Sequence, residues 1–384
     1  MSFHKKALYT DMTQNYLTPV EPMSHTRVKV RFRTGRGNVD RVTICYNGQK
    51  AIMRKDSFDD MFDYYAYHIR LTDEPIYYHF EVEAEDESCY YNRLGISKSE
   101  EARYDFILVP GFATPDWAKG AVVYQIYVDR FYNGDSSNDV VNDEYFYQGR
   151  PVKHAGHWND PVSRTDEGTF YGGDLQGIID KMDYLEGLGV EVLYLNPIFV
   201  SPSSHKYDIQ DYRHIDPHFG KIVNREECGL KDGYEQYRGI TTDRENLEAS
   251  DRLFARLVEE AHKRGMKVIL DGVFYCCGSW HRFMDKEGIY ANGDTCSIKG
   301  AYQDSNSPYR EYFQYKNPQD ANSYENWWGY EAYAKFNYEN SRKLYEYILS
   351  VAVKWVSKPF CADGWRVDAV SYTHLRAHET LANL

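Results

Sequence analysis

The sequence predicts two domains, an antiparallel β-sandwich followed by an α/β domain built on a parallel sheet. The hydrophobic pattern has period two over residues 26–108, and it then changes to apolar strands that alternate with amphipathic helices. The chain has 384 residues, which is long enough for two cores. Residues 110–115 separate the two patterns as a linker with Pro at both ends, so we expect domains at 1–115 and 116–370.

Short β-rich runs define the first domain. Val28, Val30 and Phe32 alternate with charged residues, which is typical of a strand with one buried face. Further runs follow at residues 41–46, 64–71, 77–82 and 104–108. Several short strands at this spacing, separated by turn residues, favour a sandwich.

Strands and helices alternate in the second domain, which predicts parallel βαβ units. The four apolar runs that we interpret as strands lie at residues 121–128, 191–195, 267–270 and 365–369. Apolar residues at helical spacing follow Asp174, a predicted N-cap, and a second helix over 253–261 is closed by Gly265. A third helix is expected over 344–355.

Composition narrows the classes of function. Hydrophobic residues make up 42% and charged residues 27%, as in globular proteins, and no long apolar run is available for a membrane span. The net charge of −13 does not suit a nucleic-acid-binding protein. The first residues lack the apolar stretch of a secretory signal, and the seven cysteines form no CxxC pair. We therefore expect a cytoplasmic protein with reduced thiols, no membrane association and no nucleic-acid partner.

The fourth predicted strand carries the most informative residues. Arg366 and Asp368 are two residues apart, so they share one face of the strand. A carboxylate beside an arginine stays ionised, as a nucleophile requires, but an interior salt bridge explains the pair equally well. Asp271 ends the third strand and could be catalytic or could orient Arg366.

Two long inserts follow strands, at residues 133–169 and 275–337, and loops of this length in a compact domain are usually functional. The first begins with a run of Asn and Asp residues around Gly134. Such oxygen donors suit Ca²⁺, although the spacing is not that of an EF-hand and a solvated turn is an equal alternative.

Several motifs in order resemble the alpha-amylase superfamily, and within it the neopullulanases, cyclomaltodextrinases and maltogenic amylases. These motifs are YQIY at 124–127, DRF at 129–131, FYGGDL at 170–175, HKYD at 205–208 and GWRVD at 364–368. The resemblance covers about residues 26–370. It implies that the sandwich is a starch-binding-like module and that the α/β domain is the first half, about four βα units, of a (β/α)₈ barrel.

The resemblance also implies roles for individual residues. Asp368 matches the catalytic nucleophile, Arg366 its neighbour, Tyr207 the aromatic that stacks on the sugar at the scissile bond, and Asp271 a conserved aspartate of the barrel. A structural calcium site is implied at Asn133, Asp135, Asn138, Asp139, Gly172 and Asp174.

The chain departs from the family pattern in the second insert. Tyr275 and Cys276 stand where the family usually has Asn and His, so Cys276 occupies a sugar-binding position without the imidazole. Tyr333 and Ala334 replace a Met-Pro pair. A zinc site at Cys276, Cys277 and His281 is disfavoured because no second cluster has metal-ligand spacing.

The two inserts consume so much length that only four strands and three helices can be assigned over 116–370. A retaining glycosidase needs a second carboxylic acid, and Glu379 lies in no matching motif. Residues 371–384 do not continue the pattern, so we expect a non-native tail after a C-terminally truncated barrel.

The expected function is therefore that of a retaining α-glucan hydrolase acting on maltooligosaccharides, cyclomaltodextrins or pullulan, through α-1,4 bonds with α-1,6 bonds left open. We expect this fragment to be inactive and the full-length parent to form a homodimer. The alternative is a non-catalytic α-glucan-binding protein with a decayed active site. A barrel acting on phosphorylated metabolites is disfavoured because Asp174 in the only Gly-rich loop would repel phosphate.

Overall fold

The computed structural model describes residues 3–85, 87–162, 167–225, 233–290 and 298–368. The chain divides into two compact units, one ending at Lys119 and one beginning at Gly120. The predicted tail at 371–384 lies outside the described residues. No helix within the described segments has the length and apolar character needed to cross a membrane.

The first unit consists of two antiparallel sheets that share one core. The first sheet has the strand order Leu17–Thr18, Arg27–Gly35, Phe62–Arg70, Arg54–Phe58. The second has the order Gln49–Ile52, Arg41–Tyr46, Ile76–Ala84, Glu87–Asn92, Gly95–Ser97, with Phe106–Leu108 also paired to Ile76–Ala84. Phe32 from the first sheet and Phe80 from the second are fully buried, with ring centroids 4.6 Å apart. The predicted sandwich is thus confirmed. Because side chains alternate between the two faces of each strand, one face of each sheet is buried in the shared core.

Four strands in sequence order form the parallel sheet of the second unit. They are Val123–Ile126, Val192–Leu195, Lys267–Gly272 and Gly364–Val367. The register aligns Ile126, Leu195, Leu270 and Trp365 in one row, so the carboxyl ends of all four strands meet at one edge. The four predicted strands are confirmed. The described residues show no closed barrel, and an incomplete (β/α)₈ barrel stays a prediction.

Five α-helices are described in this unit: Leu175–Asp180, Met182–Gly187, Glu235–Thr242, Arg244–Lys263 and Arg342–Val356. The side chain of Asp174 accepts a hydrogen bond from the Gly177 amide, which confirms the predicted N-cap. Gly265 follows the longest of these helices with φ of +75°, as predicted for a helix end. The helices pack on the sheet through a core that includes Phe199, Phe254 and Trp355.

Small sheets lie outside the parallel sheet, within the two inserts and between them. Their strands are Phe146–Tyr147 with Arg150–Pro151, Lys153–His154 with Thr169–Phe170, Phe199–Val200 with Asp211–Ile215, and Cys276–Gly278 with Tyr330–Lys335 and Asn326–Trp327. Short 3₁₀ turns lie at Lys5–Ala7, Ala102–Tyr104, Asp116–Ala118, Val128–Arg130, Ser136–Asn138, Arg310–Tyr312 and Ala321–Ser323. The described parts of both inserts therefore contain regular secondary structure.

Candidate active site

Arg366 joins two carboxylates at the carboxyl edge of the parallel sheet. It lies directly beside Asp271 in the strand register, and its Nη1 donates to Asp271 Oδ1 at 3.0 Å and Oδ2 at 3.2 Å. The same nitrogen lies 3.0 Å from Asp368 Oδ1. The predicted shared face of Arg366 and Asp368 is present, and so is the orienting contact between Arg366 and Asp271.

Asp271 is fully buried and accepts two further hydrogen bonds. The hydroxyl groups of Tyr194 and Tyr207 donate to its Oδ2 at 2.5 Å and 2.9 Å. Burial raises the pKa of Asp271, against the opposing effects of Tyr194, Arg366 and Tyr207. The carboxylates of Asp271 and Asp368 raise the pKa of Arg366 although burial opposes them, so the guanidinium remains charged.

Tyr194 was not predicted as a site residue. It lies on the second strand of the parallel sheet, where the surrounding residues are apolar. A hydroxyl-bearing side chain inside an otherwise apolar strand was the available signal, because such a group needs a buried partner. Only the folded structure shows that Asp271 provides it, through the hydrogen bond from the Tyr194 hydroxyl.

A buried ion pair between Lys206 and Asp216 stabilises the turn that carries Tyr207. Lys206 has a φ of +61° and is completely buried, and its Nζ lies 2.7 Å from Asp216 Oδ2 and donates to the Ser201 carbonyl at 2.7 Å. The pKa of Asp216 is lowered because Lys206 and His218 outweigh burial. The ion pair therefore fixes the backbone next to Tyr207.

His218 extends this network to the first insert. Its Nδ1 lies 3.1 Å from Asp216 Oδ1, and its Nε2 lies 2.9 Å from Glu144 Oε1. Burial lowers the pKa of His218, but Glu144 and Asp216 outweigh it and the pKa is raised. The pKa of Glu144 is lowered because His218 outweighs the effect of burial. These charged residues were not predicted to be buried.

His205 lies between two aromatic rings beside Tyr207. Its ring centroid is 5.8 Å from that of Tyr207 and 6.4 Å from that of Tyr333, with which it is stacked. The Tyr333 hydroxyl is 3.3 Å from His205 Nε2, and Glu167 Oε2 is 3.6 Å from the same nitrogen. The adjacent Asp208 accepts a hydrogen bond from the Tyr147 hydroxyl at 2.9 Å. The HKYD segment thus brings aromatic faces and carboxylates together.

Cys276 lies in the first strand of the three-stranded sheet of the second insert, opposite Lys335. Its side chain is fully buried, and burial raises the pKa of the thiol, so the group is neutral. Cys277 is the next residue on the strand and points to the opposite face. Among the residues that the structure describes, no three His, Cys, Asp or Glu side chains form a group that could hold a metal.

The six residues of the predicted calcium site lie in two linked groups. Asp174 accepts hydrogen bonds from the amides of Gly134, Asp135 and Gly177 and from Asn138 Nδ2. Asn133 Nδ2 donates to Asp139 Oδ1 at 2.8 Å, and a Cβ on Gly172 would lie 2.5 Å from both of these atoms. Gly172 has φ of +79°, so glycine is required there on two grounds.

These residues carry amide and carboxylate oxygens, which are the ligand type that Ca²⁺ binds. Asn138 Oδ1 is buried and has no hydrogen-bond partner, and burial raises the pKa of Asp139 and of Asp174. A bound cation would satisfy the amide oxygen and favour both carboxylates. Asp135, however, pairs with Lys221 at 2.5 Å, so its oxygen is already occupied by an ammonium group.

Comparison with known proteins identifies the family. Residues 1–109 match the family described as alpha amylase, N-terminal ig-like domain, and residues 125–228 and 249–381 match alpha amylase, catalytic domain. The chain belongs to the alpha-amylase family. The predicted sandwich corresponds to the first of these matches, and Asp271, Arg366 and Asp368 lie within the second.

Individual relatives carry the names that the motifs suggested. Neopullulanase 2 from Thermoactinomyces vulgaris is 32% identical over 373 residues, covering 91% of this chain and 53% of the relative. Cyclomaltodextrinase from Thermoanaerobacter pseudethanolicus is 30% identical over 380 residues, covering 91% and 54%. The solved structure of the type III pullulan hydrolase from Thermococcus kodakarensis has a TM-score of 0.55 at 26% identity, covering 94% and 55%. The predicted subgroup is confirmed, and the chain spans about half the length of these relatives.

Proposed function

We propose that this chain is part of a cytoplasmic, retaining α-glucan hydrolase that cleaves α-1,4 bonds in maltooligosaccharides, cyclomaltodextrins or pullulan, with cleavage of α-1,6 bonds left open. The observation that carries the proposal is the contact of one guanidinium nitrogen with both Asp271 and Asp368 at the carboxyl edge of the sheet. Barrel enzymes build their active sites at this edge. We extend the proposal to a homodimer for the full-length parent, as in the sequence-based expectation.

Asp368 acts as the nucleophile in this proposal. Its carboxylate attacks the anomeric carbon, the bond from that carbon to the leaving oxygen breaks, and a glycosyl ester forms with inversion. Water then attacks the same anomeric carbon with a second inversion and gives its proton to the group that protonated the leaving oxygen, which releases Asp368 as a carboxylate and gives net retention. Arg366 orients the carboxylate and places positive charge beside it.

Asp271 and Tyr207 position the other groups. Asp271 holds Arg366 through both carboxylate oxygens, and the Tyr207 hydroxyl bonds to Asp271, so the tyrosine ring is fixed beside the reacting edge. A fixed aromatic face offers an apolar surface for one side of a glucose ring. Removal of the Tyr207 hydroxyl would free the ring without removing its face.

Catalysis also needs an acid that protonates the leaving oxygen. Within the described ranges, the carboxylate that Arg366 links to Asp368 is Asp271, and its oxygens already accept bonds from Arg366, Tyr194 and Tyr207. We therefore do not assign the acid to Asp271; as the family resemblance implies, we propose that it belongs to later strands of the full-length parent and that the present chain does not hydrolyse unactivated glucans. General acid–base assistance contributes about 10²–10⁴-fold.

Calcium has a structural role in the proposal. Asn133, Asn138, Asp139, Gly172 and Asp174 would hold it, with Asp135 joining if Lys221 releases it. When bound, the ion would neutralise carboxylates in the loop that precedes the helix Leu175–Asp180. Thermal unfolding with Ca²⁺ should occur at a higher temperature than with chelator, because the ion binds the folded state. An unchanged thermal unfolding midpoint would show that the loop binds no calcium.

Glycosyl fluorides test the nucleophile separately from the acid, because fluoride leaves without protonation. We expect no turnover of pullulan or cyclomaltodextrin, slow fluoride release from α-maltosyl fluoride, and loss of that release in Asp368→Asn. Asp183→Asn, at a carboxylate whose side chain is 85% exposed, is the matched control. Fluoride release that persists in Asp368→Asn would refute the assignment of Asp368 as the nucleophile. Robust hydrolysis of pullulan would refute the proposal that this chain lacks the acid.

A non-catalytic glucan-binding protein is the second candidate, favoured by the neutral, buried Cys276 at a sugar-binding position. Binding of maltooligosaccharides without fluoride release would support it.

A further inference from the structure

A cavity lined by basic and aromatic residues lies in the first unit. Its volume is about 540 Å³, which is in the range of cavities that bind small ligands. The residues that line it are Phe3, His4, Lys5, Lys6, Ala7 and Phe62. All six belong to the unit that ends at Lys119, so no residue of the candidate active site contributes to this cavity.

Two contacts hold the N-terminal segment that forms one wall of the cavity. Arg33 Nε donates to the Ala7 carbonyl at 3.3 Å, and Lys5 Nζ donates to Glu87 Oε2 at 2.7 Å. Arg33 and Glu87 lie on strands of different sheets, so the segment is attached to both sheets of the sandwich. The wall therefore has a defined position on the folded unit.

Phe62 supplies an aromatic wall that is also held in place. The Arg33 guanidinium lies over its ring, 4.2 Å from the centroid. Phe62 is opposite Gly35 in the strand register, so the neighbouring strand places no side chain over it at that position. Phe3 adds a second ring to the lining. Flat apolar rings of this kind can pack against the apolar face of a sugar.

The lining carries an excess of positive charge. It includes His4, Lys5 and Lys6, and the carboxylate of Glu87 pairs with Lys5. Lys6 is exposed and forms no ion pair with a carboxylate within the described part of the chain. Because the whole chain has a net charge of −13, these cations are a local exception. Two ammonium groups and an imidazole suit a phosphate monoester, which carries about −1.5 to −2 charges at pH 7.

Hydrogen-bonding groups narrow the ligand further. The side chains of the six lining residues contain no oxygen, and the ammonium groups of Lys5 and Lys6 only donate hydrogen bonds. Phosphate oxygens and sugar hydroxyls accept such bonds, whereas the amino group of a nucleobase needs an acceptor. An inorganic anion would use the basic groups without the rings, and a neutral sugar would use the rings without the charges.

We propose that this cavity binds a phosphorylated sugar, with the phosphate at His4 and Lys6 and the sugar ring against Phe62. The proposal goes beyond the proposed function, because no lining residue takes part in hydrolysis. It gives the sandwich a ligand of its own that differs from a neutral glucan by its charge.

The test is calorimetric titration of the whole chain with glucose 6-phosphate, glucose, inorganic phosphate and adenosine monophosphate. Glucose 6-phosphate should bind about ten-fold more tightly than each of the others, because it alone uses the rings, the cations and the donors together. Lys6→Gln should weaken its binding about ten-fold, as for loss of one charged hydrogen bond. Lys98→Gln, at another exposed lysine of the first unit, is the matched control and should leave the affinity unchanged.

A second pair of variants separates contact with the sugar from packing of the fold. Phe62→Leu removes the flat ring, so it should weaken glucose 6-phosphate binding and leave the binding of inorganic phosphate unchanged. Phe58→Leu is the control, because Phe58 also lies beneath a guanidinium, that of Arg36 at 3.7 Å, but does not line the cavity. Phe58→Leu should change neither affinity, and thermal unfolding of both variants measures the packing contribution.

Four results would overturn the site. Equal affinity for glucose 6-phosphate and inorganic phosphate would show that the rings contribute nothing, and tighter binding of adenosine monophosphate would assign the cavity to nucleotides. Equal weakening by Lys6→Gln and Lys98→Gln would show general attraction of charge. Absence of glucose 6-phosphate binding by the unaltered chain would remove the site. None of these results bears on Asp368, so the fluoride assay decides separately on the proposed function.

Discussion

Arg366 is the cation on which the two active-site aspartates depend. The side chain of Asp271 is fully buried and that of Asp368 is 14% exposed, whereas the side chain of Arg366 is 42% exposed. A buried carboxylate that loses its cation keeps its desolvation cost without compensation. The contact therefore contributes to folding as well as to the proposed chemistry.

Substitution of Arg366 by Met should destabilise the second unit by about 2 kcal/mol, since Asp271 would remain buried without its cation. Urea unfolding measures this loss. The double variant Asp271→Asn with Arg366→Met should recover part of it, because the unpaired charge is removed. Strictly additive effects of the two substitutions would show that the contact carries no coupling energy.

His218 gives the fold a pH dependence with a defined sign. Its ring faces Glu144 and Asp216, with Lys206 on Asp216 and Arg225 Nη1 3.8 Å from Glu144. The folded-state pKa is raised above 6.5, so the stabilisation is fully present below that pH and is lost as pH rises through the folded value.

Unfolding free energy should therefore decrease from pH 6 towards higher pH, and His218→Gln should flatten this decrease. Chemical denaturation at a series of pH values measures it. His25→Gln, at a histidine whose side chain is 70% exposed, is the control and should keep the slope of the unaltered chain. The same slope in His218→Gln would contradict the assignment.

Sequence patterns found some of these residues and missed others for physical reasons. Arg366 lies on the fourth strand and Asp368 follows its last residue, Val367, so the two-residue spacing of a strand was enough to predict that they share one face. His218 and Glu144 are 74 positions apart, and charged residues are ordinarily expected at the surface. Only the folded backbone shows that they are buried together.

At the scale of elements, prediction succeeded where the apolar period was uninterrupted. The helical region after Asp174 was expected and is present as two helices. The helix predicted over 253–261 begins at Arg244, because its first turns bury polar residues such as Asn246 and Ser250 rather than apolar ones. Strands Arg54–Phe58 and Glu87–Asn92 were missed because four of the five residues in the first and half of the residues in the second are polar.

Asp174 should be a stronger cap than an ordinary one. Asp174→Ala removes four accepted hydrogen bonds and should cost about 3 kcal/mol, compared with about 1 kcal/mol for Ser341→Ala at the start of Arg342–Val356. Denaturation in the presence of chelator measures both variants without a metal contribution. Equal costs would show that the bonds to Gly134, Asp135 and Asn138 contribute little.

At the scale of the whole molecule, the two units have separate internal architectures. The sandwich completes both of its sheets before residue 109, with Phe106–Leu108 paired to Ile76–Ala84. Its core is formed by its own residues, among them Val30, Phe32 and Phe80. The sequence indicated this division through the change of hydrophobic period, whereas closure of a barrel depends on strands that the described residues do not include.

The segment 1–119 should consequently fold by itself. A domain of this size with a complete core is typically stable and unfolds in one cooperative transition. We expect the isolated segment to show one thermal transition and the whole chain to show a transition at a similar temperature together with a second one. Phe80→Ala should lower the temperature of the first transition in both proteins, by the loss of about 3–5 kcal/mol from a buried aromatic.

Calcium should move only the second transition, because all of its candidate ligands follow Gly120. An unfolded 1–119 segment, or a calcium effect on the first transition, would show that the sandwich depends on the rest of the chain.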